Sequence, residues 1–263
     1  MKLFSRQIGP EDAAHHVVIL HGLFAASDNL QTLGKALSEV YRVHLLDLRN
    51  HGQSPHAPEL NYAVMAADVI EYLSDQDIEQ AVFIGHSMGG KTAMQVALNY
   101  PQCVTALIVA DIAPVRYDPG HEHILEGLQA LEHTPVTSRT MADEMLSQWI
   151  DEWGVRQFLI KNLRRTDDGS SNLVWRFNYD AIKDNYPQIL SAPQGDRFDG
   201  QVLFIAGAKS EYILPSHKEQ TLRLFPQAQL KSIPDTSHWL HAEKPEVFNA
   251  MCARFLKQAL LSQ

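Results

Sequence analysis

A chain of 263 residues, 45% of them hydrophobic and 20% charged, can bury one large core and is too balanced to be disordered. Its formal net charge of −9 excludes the clustered cationic surface that nucleic acid requires, and an anionic membrane would repel it. No run reaches about 18 uninterrupted apolar residues and the first residues lack a signal-peptide core, so a cytoplasmic protein without stable membrane insertion is expected. The two cysteines, Cys103 and Cys252, make neither a disulfide framework nor a metal-ligand spacing.

The predicted elements alternate short apolar runs with longer amphipathic stretches, the pattern of β-α-β units around a mostly parallel sheet. Residues 17–20 form a strand that enters the His21-Gly22 turn. Residues 43–46 form a second, running into Asp47-Leu48-Arg49-Asn50-His51-Gly52. Asn61 suits the N-cap of a helix over 62–73, where Met65, Val69, Ile70 and Leu73 recur at helical spacing. Strands over 81–84 and 106–110 bracket a helix over 92–98 that stops before Pro101.

Residues 114–200 break this rhythm. They carry amphipathic stretches over 124–131, 141–149 and 155–163, no core strand, and aromatics at Trp149, Trp153, Phe158, Trp175 and Phe177 expected mainly to glue the segment down. Strands over 202–206 and 229–233 then return, and a helix over 247–261 closes the chain after Pro245. The expected division is an α/β core of 1–113 and 201–263 with 114–200 as a helical cap insertion.

Gly85-His86-Ser87-Met88-Gly89-Gly90 is the strongest chemical signal. A bare G-x-S-x-G is weak, but here Val82-Phe83-Ile84 precedes it as a strand and a helix follows. A serine on such a sharp strand-to-helix turn needs small flanks. Its hydroxyl stands clear of the sheet, and the N–H of Met88 points at a developing oxyanion. The second donor should come from His21-Gly22-Leu23-Phe24, with Leu23 the natural choice and Phe24 its neighbour alternative. His21 reads as a hydrogen-bonding residue of that turn rather than a base.

In this order and spacing the signposts resemble the α/β-hydrolase superfamily along nearly the whole chain, with Ser237-His238-Trp239-Leu240-His241 similar to its catalytic-histidine segment. Arg49-Asn50-His51-Gly52, Gly89-Gly90-Lys91 and Asp111-Ile112-Ala113-Pro114-Val115 more closely resemble the small bacterial esterases typified by YbfF. The resemblance implies the α/β-hydrolase fold and cleavage of carboxyl esters, or acyl-CoA thioesters, through a Ser-His-Asp triad and an acyl-enzyme. Phe24 and Trp239 are then expected to touch a small-molecule ester or thioester substrate.

Among thirteen histidines, His238 follows the 229–233 strand at the sheet end that carries Ser87, and an imidazole of ordinary acidity can shuttle the serine proton near neutral pH. His241 is its rival. His15, His16, His121, His123 and His217 read as surface. The acid departs from the usual pattern. The superfamily places it after the strand corresponding to 202–206, where this chain reads Gly207-Ala208-Lys209-Ser210-Glu211, with Ser210 at the expected position. A hydroxyl cannot stabilise an imidazolium as a carboxylate does, so the acid is assigned to Asp111, the site the resembling esterases use, ahead of Glu211 and Asp235.

His121-x-His123 and His15-His16 lack a third metal ligand at a diagnostic spacing, and no phosphate-binding glycine pattern follows a strand, so neither metal nor organic cofactor is expected. Lys161, Arg164 and Arg165 read as solvated surface, with a contact for an anionic leaving group as the alternative. A carbon–carbon bond hydrolase or lyase on the same triad, and a non-catalytic binding member of the fold, are the rival functions.

Overall fold

The computed structural model describes residues 1–166 and 170–261. In chain order these form β1 (Ser5–Ile8), β2 (His16–Leu20), α1 (Gln31–Leu37), β3 (Arg42–Leu46), α2 (Tyr62–Asp75), β4 (Ala81–His86), α3 (Met88–Asn99) and β5 (Val104–Ala110). Then come α4 (Glu122–Glu132), α5 (Arg139–Leu146), α6 (Trp153–Ile160), β6 (Leu163–Arg165), β7 (Leu173–Trp175), α7 (Tyr179–Asp184) and α8 (Tyr186–Leu190). The chain closes with β8 (Gln201–Gly207), α9 (Lys218–Leu224), β9 (Ala228–Ile233), α10 (Leu240–Glu243) and α11 (Pro245–Leu261).

Seven strands make one sheet in the order β1-β3-β2-β4-β5-β8-β9. Only β1 pairs antiparallel, on β3; the other pairings are parallel. The central strands are apolar without alternation because both sheet faces are covered. Val18, Leu20, Phe83, Leu107 and Val109 face one hydrophobic cluster, shared with α2, α3 and residues of the 114–200 segment. Val17, Ile19, Val82, Ile84 and Ile108 face a second, against Leu33 and Leu37 of α1 and Phe248 and Leu256 of α11. Asn61 caps α2, its side-chain oxygen accepting the Val64 N–H at 2.9 Å.

The structure differs from the sequence expectation at several points, among them short helices that the sequence reading did not name, such as α1 and α9. β1 reads Ser-Arg-Gln-Ile, too polar to announce itself as a strand; it needs to be apolar on neither face because it lies at the sheet edge. α3 starts at Met88, directly after Ser87, rather than near residue 92. The 114–200 segment contains a two-stranded antiparallel sheet of β6 and β7, separate from the main one.

Parallel packing sends the carboxyl ends of β2, β4, β5 and β8 to one edge of the sheet, where ligands bind in open α/β sheets. The His21-Gly22 turn, Ser87, Asp111 and the 208–211 loop leave from those ends, and His238 lies in the loop after β9.

Candidate active site

Ser87 sits in a backbone that only a tight turn produces. Its φ of 53° and ψ of −120° are a region that costs a non-glycine residue about 1–3 kcal/mol. The flanking glycines explain how the chain gets there. A Cβ on Gly85 would lie 2.2 Å from the Gly89 carbonyl oxygen, and one on Gly89 would lie 2.4 Å from that of Leu20. The Ser87 N–H donates to Ala110 O at 3.0 Å, which fastens the turn to the end of β5.

The neighbouring loop after β2 is fixed by two buried imidazoles. The Leu48 N–H donates to His21 Nε2 at 3.0 Å, so His21 Nδ1–H donates to Gly22 O at 2.8 Å. In the same way the Phe24 N–H donates to His51 Nε2 at 3.3 Å, and His51 Nδ1–H donates to Arg49 O at 2.9 Å. Each ring must be neutral to keep a lone pair. Burial ensures this, lowering His21 and pushing His51 down to about 3. Because His51 occupies the Phe24 N–H, Leu23 is the better of the two candidate donors. Met88, as the first residue of α3, has an N–H without an intrahelical acceptor.

On the other side of Ser87, His238 Nδ1–H donates to Asp111 Oδ2 at 2.8 Å. Asp111 is wholly buried, with φ of 51°, and its N–H donates to Ile205 O at 2.8 Å. Its Oδ1 accepts the Gly207 N–H at 2.8 Å, and Oδ2 also accepts the Ser210 hydroxyl. The Tyr212 ring stacks on the imidazole of His238 at 4.1 Å between centroids. His86 Nε2–H donates to His238 O at 2.9 Å, tying the histidine loop to the residue before Ser87. Glu211 is exposed at the cavity rim, and Asp235 lies between Lys209 and Lys244 at 3.9 and 3.7 Å.

Ser87 and His238 face one cavity of about 380 Å³. Among the described residues no hydrogen bond joins the two side chains; nucleophile–base contacts are often loose without substrate. Leu23, Phe24, Met88 and Trp239 also line this space. The 114–200 segment adds an apolar wall of Ile124, Val155, Phe158 and Leu159. Deeper, Lys91 Nζ donates to Leu190 O at 3.1 Å and Ser191 O at 2.6 Å, over the Tyr117 ring at 4.6 Å. Burial, with the charge of Arg116 as a lesser cause, lowers this lysine to about 7.

The family model described as the alpha/beta hydrolase fold matches residues 15–245. The chain belongs to the α/β-hydrolase family. It is 37% identical over 241 residues to Esterase YbfF of Escherichia coli, covering 91% of this chain and 92% of that one. It is 39% identical over 250 residues to the sn-1-specific diacylglycerol lipase ABHD11 of Mus musculus, covering 91% and 80%. A solved marine microorganism esterase superposes with a TM-score of 0.91 at 37% identity, over 97% of this chain and 99% of that one.

Several residues of this hydrolase have a place that sequence reading did not give them. His121 was expected at the surface; it is half-buried on the cavity wall, paired with the Tyr186 hydroxyl at 2.7 Å and the Tyr212 hydroxyl at 3.1 Å. Nothing local to Gly120-His121-Glu122 signals this, since both partners are distant in sequence. Trp153 does not glue the segment down; it is 66% exposed. Phe158 does face the cavity, packed at 5.8 Å from Trp239, while Trp175 and Phe177 stack at 5.0 Å and carry the packing role. Lys161, Arg164 and Arg165 do not line the active-site cavity. His241 is buried behind His86, ring centroids 4.3 Å apart, and burial takes it down to about 3.

Proposed function

We propose that this hydrolase cleaves carboxyl esters through a triad of Ser87, His238 and Asp111 and an acyl-enzyme, with residues 114–200 as a cap over the site. The ester-hydrolase class rests on the family and on its esterase and lipase relatives. The observation that carries the finer reading is the 2.8 Å contact of His238 with a wholly buried carboxylate, on the wall of the cavity that Ser87 faces.

Ser87 Oγ attacks the acyl carbonyl while Nε2 of His238 takes its proton. Asp111 keeps Nδ1 protonated, which fixes the tautomer and stabilises the imidazolium. The carbonyl oxygen, now negative, is received by the N–H groups of Leu23 and Met88, each worth about 2.7–4 kcal/mol of barrier. His238 returns the proton to the departing alcohol, and water repeats the sequence on the acyl-enzyme. A thiol leaves by the same route, so thioesters fit the same machinery. The apolar wall of Val155, Phe158 and Leu159 suits an apolar acyl group.

Labelling with a fluorophosphonate tests the nucleophile: one adduct is expected on Ser87, and none on Ser87→Ala. Assay of Asp111→Asn and Glu211→Gln on a short aryl ester tests the acid. A loss on the order of 10⁴ in kcat is expected for Asp111→Asn, and near-normal activity for Glu211→Gln. The opposite result would move the acid to Glu211.

A further inference from the structure

The loop after β8 brings an aromatic face to His238. Tyr212 lies flat against the imidazole, with 4.1 Å between centroids and 28° between planes. Three hydrogen bonds hold it there. Its N–H donates to the Ser210 hydroxyl oxygen at 3.2 Å, its carbonyl accepts the Tyr117 hydroxyl at 2.5 Å, and its own hydroxyl pairs with His121 Nε2 at 3.1 Å. His121 is fixed in turn through Nδ1, which lies 2.7 Å from the Tyr186 hydroxyl. Burial lowers His121, and a neutral imidazole has one N–H and one lone pair, so one phenol donates to it and the other accepts from it. The ring of Tyr212 is thus gripped at its main chain and at its tip, which leaves it little freedom to swing off His238.

We propose that Tyr212 is a positioning residue for the hydrolysis, its ring face stabilising the imidazolium that His238 becomes on taking the Ser87 proton. This rests on the triad reading above. An aromatic face is negative and attracts a cation within about 6 Å of its centroid, more strongly where water is excluded. The neutral imidazole gains less from the same contact, so the stabilisation falls on the transition state rather than on the resting enzyme. Asp111 on Nδ1 is the charged partner of the ring. The rings of His86 and Trp239 lie farther off, at 4.7 and 6.1 Å between centroids. His86, His121 and His241 would each repel an imidazolium if charged, but burial lowers all three. Among the described residues, the other charged side chains on the cavity wall are Lys91, Asp118 and Glu211. With Asp111 already engaged at the edge of the imidazole, the face of Tyr212 is what meets the new charge from above.

Tyr212→Leu removes the face and leaves an apolar side chain in its place. It should lower kcat on a short aryl ester about fivefold and move the acid limb of kcat/KM down by about 0.7 pH unit, the same factor read twice. Tyr212→Phe keeps the face and loses only the bond to His121. Its kcat should fall by about twofold, and its acid limb should stay within about 0.2 pH unit of the wild type. Tyr212→Met repeats the leucine test should that variant not fold. The titration of the His238 ring, followed by NMR in Ser87→Ala and identified by its loss in His238→Gln, needs no turnover. It should move down by the same amount when Tyr212→Leu is added. An acid limb that stays in place or moves up in the folded leucine variant would overturn the proposal, as would equal losses in the leucine and phenylalanine variants. A His238 titration that moves while kcat does not would instead take the base role from His238, and this proposal with it.

Discussion

Around Ser87 the site is made mostly of main chain, whereas around Asp111 it is made mostly of side-chain hydrogen bonds. The turn at Ser87 is forced by glycines whose Cβ atoms would strike carbonyl oxygens. The loop after β2, which carries the proposed oxyanion donor Leu23, is held by main-chain N–H and C=O groups bonded to His21 and His51. The environment of Asp111, the proposed acid, by contrast depends on Ser210, Tyr212 and His238 meeting across two strand ends and a loop. Substitution in the first half should cost stability first, and substitution in the second should cost turnover first.

Three buried imidazoles give the largest expected stability effect: His51 and His241 beside the Ser87 half, and His44 in β3, bonded to the Tyr72 hydroxyl. Burial lowers His44 to about 4 and His51 and His241 to about 3. In the unfolded chain each returns to about 6.5, so between those values the unfolded state binds more protons and stability is lost as pH falls. Near pH 5 unfolding should take up about three protons from these groups, a slope of about 4 kcal/mol per pH unit. Urea unfolding followed between pH 4.5 and 6.5 measures it. A slope below about one proton would mean that the rings are solvated or charged in the folded protein.

Next in size is Gly89→Ala. The added Cβ would lie 2.4 and 2.5 Å from the carbonyl oxygens of Leu20 and His21, and strand backbone cannot give way as a side chain can. A loss of about 3 kcal/mol is expected, which for a chain of this size lowers the thermal midpoint by roughly 10 °C, together with most of the fluorophosphonate labelling. Wild-type stability would show that the turn is looser than its contacts imply.

The same contrast governs what could be read from the sequence. The parallel strands, the turn at Ser87 and the cap of α2 follow from local patterns: apolar runs, a G-x-S-x-G after a strand, an Asn before a helix. The Asp111 assignment came from an absence, the hydroxyl at Ser210 where a carboxylate is usual. That the hydroxyl would bond the relocated acid, or that His121 would join Tyr186 and Tyr212 on the cavity wall, depends on residues brought together only by the fold. β1 escaped for a different reason: an edge strand needs no apolar run to be stable in a sheet.

His51→Leu sharpens the comparison from within the nucleophile half. It strands the buried Phe24 N–H and Arg49 carbonyl, costing about 1–3 kcal/mol of stability. By loosening the loop that carries Leu23 it should lower kcat about tenfold with little change in KM. His51→Gln, which can both donate and accept, should recover part of each loss. If kcat is unchanged in the folded leucine variant, the loop is positioned by something other than this imidazole.

The smallest effect is expected at Lys91, which joins α3 to the carbonyls of Leu190 and Ser191 in the proposed cap. Burial lowers it from 10.5 to about 7, so between those values the folded state binds fewer protons than the unfolded state. The burial penalty therefore stands in full below pH 7 and is relieved as pH rises toward 10. Lys91→Met removes that titration. The stability of the wild type relative to Lys91→Met should then grow with pH between 7 and 9.5, by at most about 1.4 kcal/mol per pH unit. A difference that stays flat over this range would mean that the two carbonyls and the Tyr117 ring keep the ammonium charged, and that the cap is fastened by a permanent cation.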